Sequence, residues 1–412
     1  MQPALVARTV AVPAETAADL IALLPTDGPL SWVRRGEGLV GWGTAASARS
    51  TGPTRFADAA KWWAELVARS TVTDEVGEPG TGLVAFGSFG FSDDDAVDSV
   101  LTVPEVVVGR RGDVAWVTTT GTDERPPVAR RPQRAPQAAA PSGVTYADGA
   151  LDGEQWMGAV ADAVARIEAG GLEKVVLARD LVATADSPID VRWPLARLAS
   201  SYPMCWTFHV DGLFGATPEL LVRRERGLVT SRVLAGTIRR TGDETRDDEL
   251  AGALSRSSKD LEEHEYAVRS VADALEPHCS SMNVPEAPFV LHLPNVMHLA
   301  TDVTGVVHDG ITSLELAAAL HPSAAVGGTP RDRAVALIAE LEQMSRDRYA
   351  APVGWMDAAG DGEWGIALRS ALVDGDTVRL FAGCGVVGSS DPAAELAESQ
   401  AKLVPVRDAL GG

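Results

Sequence analysis

Between residues 363 and 402 the chain runs through two strand-like segments, a glycine-rich turn and a helix, and that order limits what it can fold into. The segments 363–373 and 377–387 are joined by Asp374-Gly375-Asp376, a turn signal that makes them an antiparallel hairpin. Ser390 or Asp391 then opens a helix, with Pro392 in its first turn, where a missing backbone N–H costs nothing. Upstream the same habit recurs. Strand-like runs at 30–34, 38–43, 82–87, 106–110 and 114–118 surround an amphipathic helix at 56–69 that carries Trp62 and Trp63. A helix at 153–169 ends at Gly170-Gly171. A strand at 174–180 and a helix at 191–200 come next, then strands at 206–210, 219–223 and 228–234. A long acidic helix spans 244–274, strands cover 290–307, and helices follow at 313–320 and 331–344. Strands that pair through short turns, with helices in blocks between them, predict an α+β fold. Its sheets are largely antiparallel and pack against helices in one large compact unit. No internal repeat is evident.

The 412 residues, 45% of them hydrophobic, suffice for a large core. Residues 123–143, rich in Pro, Ala and Arg and without periodicity, read as a flexible connection. They divide an N-terminal part, 1–122, from a catalytic region, 144–412. The formal net charge of −21 argues against a nucleic-acid or anionic-membrane partner. An anionic substrate must therefore be captured by local cations working against the overall field. Cys205, Cys279 and Cys384 lie far apart, without a disulfide framework, which suits a reducing compartment. The N-terminus lacks a basic stretch leading into an apolar one, and no apolar run approaches a membrane span. A cytoplasmic location is the expectation.

Charged residues that interrupt apolar runs mark the chemistry. Glu395, Glu398 and Lys402 fall at i, i+3 and i+7 and share one helix face. Asp260 and Glu263 repeat the acidic i, i+3 pair on the long helix. Such pairs serve either as solvated helix faces or as the halves of a divalent-cation site, and Mg²⁺ favours a few carboxylates plus waters and substrate oxygens. Lys174 stands at the mouth of Val-Val-Leu-Ala, where desolvation favours the neutral amine of a general base; a lysine leaning off a strand end is the alternative. Glu219 heads Leu-Leu-Val, where burial would keep a carboxyl protonated as a general acid needs, with an edge carboxylate as the alternative. Ala235-Gly236-Thr237 ends a strand with small residues that permit close backbone approach. Arg369 closes Trp-Gly-Ile-Ala-Leu, suited to bidentate carboxylate capture or to a structural ion pair.

In this order the segments KVVLAR, FGATPELLV, LAGTIRR, SSKDLEEHEYAV, LHPSAAVGGTP, YAAPVGW, GIALR and CGVVGSSDPAAELAESQAKL resemble the chorismate-utilising enzymes, continuously from Glu173 to the C-terminus. The N-terminal tract around Trp32 and Trp42 looks like the isochorismate synthase branch. The resemblance implies that Glu263 and Glu398 bind Mg²⁺, with Asp260 and Glu395 close in. It also implies that Arg369, Lys402 and the amides around Gly383 and Gly385 take the carboxylates of chorismate. Gly236, Thr237, His321, Gly328 and Thr329 would line the ring pocket. A lysine at 174 is the pattern of the isochorismate and salicylate synthases, where anthranilate synthases carry glutamine. Alanine at 235, where aminodeoxychorismate synthases carry a nucleophilic lysine, implies water as the nucleophile. The expected activity is Mg²⁺-dependent conversion of chorismate to isochorismate, with Lys174 as base and Glu219 as acid, feeding menaquinone or siderophore synthesis. Salicylate synthase, which goes on to eliminate pyruvate, is the alternative, and a silent chorismate-binding subunit the third reading. The family suggests a monomer.

Overall fold

Alternating burial turns the apolar runs into strands: in Leu5–Val12, Leu5, Ala7 and Thr9 face inward and their neighbours outward. A computed structural model describes residues 4–93, 96–122, 132–292 and 296–411, apart from the side chains of Lys259 and Glu263. Among these residues the helices are α1 (Arg55–Arg69), α2 (Gly153–Glu168), α3 (Arg192–Ser201), α4 (Glu244–Leu254), α5 (Ser258–Leu275), α6 (Ser313–Leu320), α7 (Arg331–Leu341) and α8 (Pro392–Ala409). The described strands form two sheets, of 13 and 10 strands, and pair antiparallel except where Leu5–Val12 runs parallel to Thr71–Asp74. The expected α+β architecture holds.

Both sheets draw on both parts of the sequence. In the larger, Trp206–Val210 pairs with Leu30–Arg34. In the smaller, Pro352–Asp357 pairs with Val84–Ser88. A buried cluster containing Trp32, Phe86, Trp116, Trp206, Phe208 and Trp355 lies where side chains of the two sheets meet. Residues 1–122 therefore complete the sheets that carry the later strands. Of the expected connection, 123–131 lies outside the described residues. Within 132–142 the backbone is irregular, Ala135 N–H donates to Ala22 O at 2.8 Å, and Arg192 donates to Pro136 O at 3.0 Å.

Three elements differ from expectation. The acidic segment 244–274 is two helices, because Ser257 caps α5 by accepting the Asp260 N–H and so breaks the run. The last helix before residue 345 stops at Leu341, and Gln343 takes a left-handed φ of 52°. The segment 363–373 is not one strand. Gly362–Ile366 belongs to the smaller sheet and Ser370–Asp374 to the larger. The chain crosses between them at 367–369, with Arg369 at φ 50° and Ser370 Oγ donating to Ala367 O at 2.9 Å. The crossing sets Arg369 at the seam of the two sheets.

Candidate active site

The first wall is α8 and the strand before it. Asp391 caps α8 by accepting the Ala394 N–H at 2.8 Å, which fixes the face bearing Glu395, Glu398 and Lys402. Lys402 Nζ lies 2.6 Å from Glu398 Oε1 and donates to Gly383 O at 2.9 Å. Ser390 Oγ donates to Glu395 Oε1 at 2.8 Å. Gly383 and Gly385 line a cavity, while Cys384 between them is fully buried and its Sγ donates to Glu395 O at 3.3 Å. Burial pushes this thiol up to about 12, so it stays protonated. Burial acts to raise the Glu398 carboxyl, but the Lys402 charge and hydrogen bond outweigh it and hold the group below its ordinary value.

The second wall is a bulge. Opposite His298 and Leu299 the Leu228–Arg239 strand carries the extra residue Gly236 at φ 75°. A β-carbon there would stand 3.2 Å from Asp260 Cβ, so the glycine lets α5 bring Asp260 against the strand. Thr237 Oγ1 and His298 Nδ1 then share a hydrogen bond of 3.0 Å.

Between these walls lies a cavity of about 250 Å³ onto which Lys174, Glu219, Ala235, Gly236, Thr237, Asp260, Arg369, Gly383, Gly385, Glu395, Glu398 and Lys402 all face. Lys174 opens the Lys174–Thr184 strand, half-buried. Glu219 follows Pro218, is 7% exposed, and donates its N–H to Thr217 Oγ1 at 3.2 Å. Burial raises its carboxyl to about 7, against the pull of Arg369, Lys174 and Lys402. An acid protonated near neutrality and a lysine thus share one chamber with the cations Arg369, Lys402 and Arg346. Cys384 Sγ and carboxylate oxygens of Glu395 and Glu398 all lie within 4.8 Å of one another, and Asp260 faces the same space. This oxygen-rich set suits a hard divalent cation. Glu263 falls outside the described side chains.

Three expected pocket residues are elsewhere. His321 is 4% exposed, its Nε2 lies 2.9 Å from Phe91 O, and its ring stands edge-on to Phe91 at 5.5 Å. Burial lowers it to about 3, so it is a neutral core histidine. Gly328 and Thr329 instead pair as a short strand with Val175 and Lys174. Their place is beside the start of the Lys174–Thr184 strand, holding its backbone. The sequence reading missed His298, Tyr349 and Arg346, which also face the cavity. His298 interrupts an apolar strand and Tyr349 stands in YAAPVGW; each carried a signal, but neither is charged at neutral pH. A larger open groove, about 730 Å³, lies between α3 and residues 134–138. Its Arg192 and Arg134 are already paired with Asp190 and Asp19, and no lysine, histidine or glutamate is among its described lining residues.

Residues 30–411 match the family described as "Chorismate binding enzyme". The chain is 39% identical over 266 residues to the isochorismate synthase MenF of Bacillus subtilis, covering 64% of this chain and 56% of that one. It is 34% identical over 410 residues to the salicylate biosynthesis isochorismate synthase of Pseudomonas aeruginosa, 92% of this chain and 84% of that one. The solved structure of MenF, the menaquinone-specific isochorismate synthase of Escherichia coli, superposes with a TM-score of 0.81 at 25% identity, covering 99% and 95% of the two chains.

Proposed function

The chain belongs to the chorismate-binding enzyme family, and from that premise we propose that it converts chorismate to isochorismate. What carries the reading is one chamber in which Lys174 and a protonated Glu219 face each other's space beside Ala235. Lys174 takes a proton from a water that attacks C2 of the ring. The ring double bonds shift, and Glu219 gives its proton to the C4 hydroxyl, which leaves as water. The cycle closes when Lys174 returns a proton to solvent and Glu219 regains one. Ala235 offers no amine, so water is the nucleophile. Arg369 and Lys402 bind the carboxylates, supplying local positive charge within a chain of net charge −21. Mg²⁺ held by Glu398, with Asp260 and Glu395 beside it and Glu263 by family resemblance, would neutralise and orient the ring carboxylate. The product feeds menaquinone synthesis or, as second choice, a siderophore, and the enzyme acts as a cytoplasmic monomer.

The assay is purified protein with chorismate and Mg²⁺, products resolved by chromatography. Isochorismate as main product is expected; salicylate plus pyruvate would overturn the assignment, and no turnover would leave only a binding role. Lys174→Ala should lose turnover while keeping the parent's thermal unfolding, and near-normal turnover would strip Lys174 of its role.

A further inference from the structure

From Val175 to Thr184 the Lys174–Thr184 strand pairs with Thr377–Val386 on one side. Its other side is paired only at the ends: Lys174 and Val175 with Thr329 and Gly328, and residues 181–184 with Thr145–Asp148. The open middle is closed largely by side chains. Glu342 Oε1 accepts the Ala178 N–H at 2.7 Å, Arg346 Nη2 donates to Val176 O at 2.7 Å, and Trp156 Nε1 donates to Ala178 O at 3.1 Å. Glu342 and Arg346 bind each other, with Nε to Oε2 at 2.9 Å, and their side chains are 1% and 2% exposed. Arg346 also donates to Val326 O at 2.8 Å, in the loop whose Gly327 O accepts the Val176 N–H. Its guanidinium lies 4.3 Å over the Phe91 ring, so the N-terminal part backs the arrangement.

We propose that the Glu342–Arg346 pair is a positioning device that stands in for a missing strand and sets where Lys174 meets the cavity. One residue, Val175, separates Lys174 from Val176, whose carbonyl Arg346 holds, and the next contact on the chain is the Glu342 bond to Ala178. A buried ion pair is a poor means of stabilising a fold, since apolar replacements of similar volume often match it. Its bonds to three backbone groups give it a directional role that an apolar pair could not fill. Arg346 and Val326 also face the chamber, so the pair ties the base's strand to the opposite loop. The inference rests on the role proposed for Lys174 above.

The test is Glu342→Gln with Arg346→Met, which removes both charges together. The double variant should unfold cooperatively yet lose about 30-fold in kcat, with KM for chorismate within about threefold, because a misplaced base costs rate and spares binding. Arg346→Lys, which restores the charge but reaches fewer carbonyls, should recover part of the loss. A second readout needs no turnover: acetylation of Lys174 by acetic anhydride, followed by mass spectrometry, should change severalfold while the exposed Lys61 does not. A folded double variant with the parent's kcat and Lys174 reactivity would overturn the proposal, as would a loss confined to KM. If the double variant does not fold, Glu342→Asp is read in the same two ways. A parent inactive on chorismate would refute the proposed function, and the acetylation result would still decide the positioning role.

Discussion

Glu219 is buried with its carboxyl raised from 4.5 to about 7, and this makes both stability and activity depend on pH. Between those values the folded protein holds a proton that the unfolded chain has released. Stability therefore falls as pH rises from about 4.5 through 7, by about 3 kcal/mol in all at about 1.4 kcal/mol per unit. The proposed mechanism uses Glu219 as the protonated acid, so kcat should decline as pH rises above about 7. Glu219→Gln should lose at least about 100-fold in turnover. Denaturant unfolding at pH 8 should find that variant more stable than the parent by up to about 3 kcal/mol, with little difference at pH 4. Equal stability at both values would mean the carboxyl is not held protonated by burial. Glu219, Lys174 and Arg369 were legible because each is a charge set against an apolar run, and Asp260 because it opens an acidic i, i+3 pair. His321 entered as a pocket residue by the family resemblance alone, and its bond to the Phe91 carbonyl and the surrounding rings place it in the core.

Elements show where local signals stop. Composition marks α8 clearly, since Asp391 and Pro392 are both a cap and a start, and its polar face reaches the cavity as expected. The segment 363–373 reads as a single strand because nothing local distinguishes Ile366 from Ser370, yet it serves two sheets. Left-handed backbone at Arg369 is the hinge, imposed by partners on either side. The two-residue strand Gly328–Thr329 is likewise invisible to periodicity. Gly328 sits at φ 146°, and a β-carbon there would lie 2.2 Å from Lys174 O. Gly328→Ala should therefore cost at least about 2 kcal/mol by thermal or denaturant unfolding, and turnover should fall further than occupancy of the folded state explains. A variant with parental stability would show that the strand pairing can be dropped.

At the scale of the whole molecule, both sheets are built from both ends of the sequence, so the polypeptide 144–411 should not fold alone. It would expose Trp206 and Phe208 on a strand stripped of its Leu30–Arg34 partner, and Pro352–Asp357 stripped of Val84–Ser88. Expressed by itself it should lack a cooperative thermal transition; a sharp transition with native-like circular dichroism would show an independent domain. The sequence by itself determined the α+β class, most helices and strands, the family resemblance and the charged residues of the chamber other than Arg346. Those features rest on local periodicity, on turn and cap residues, and on the cost of setting a charge in an apolar run. The tertiary structure alone decided which strand joins which sheet, that Gly328 and Thr329 pair with the start of the Lys174 strand rather than line the pocket, and that Glu342 and Arg346 close a gap in a strand edge. The last two depend on groups more than 150 residues apart finding partners, and no local pattern records which unpaired N–H or C=O another segment will satisfy.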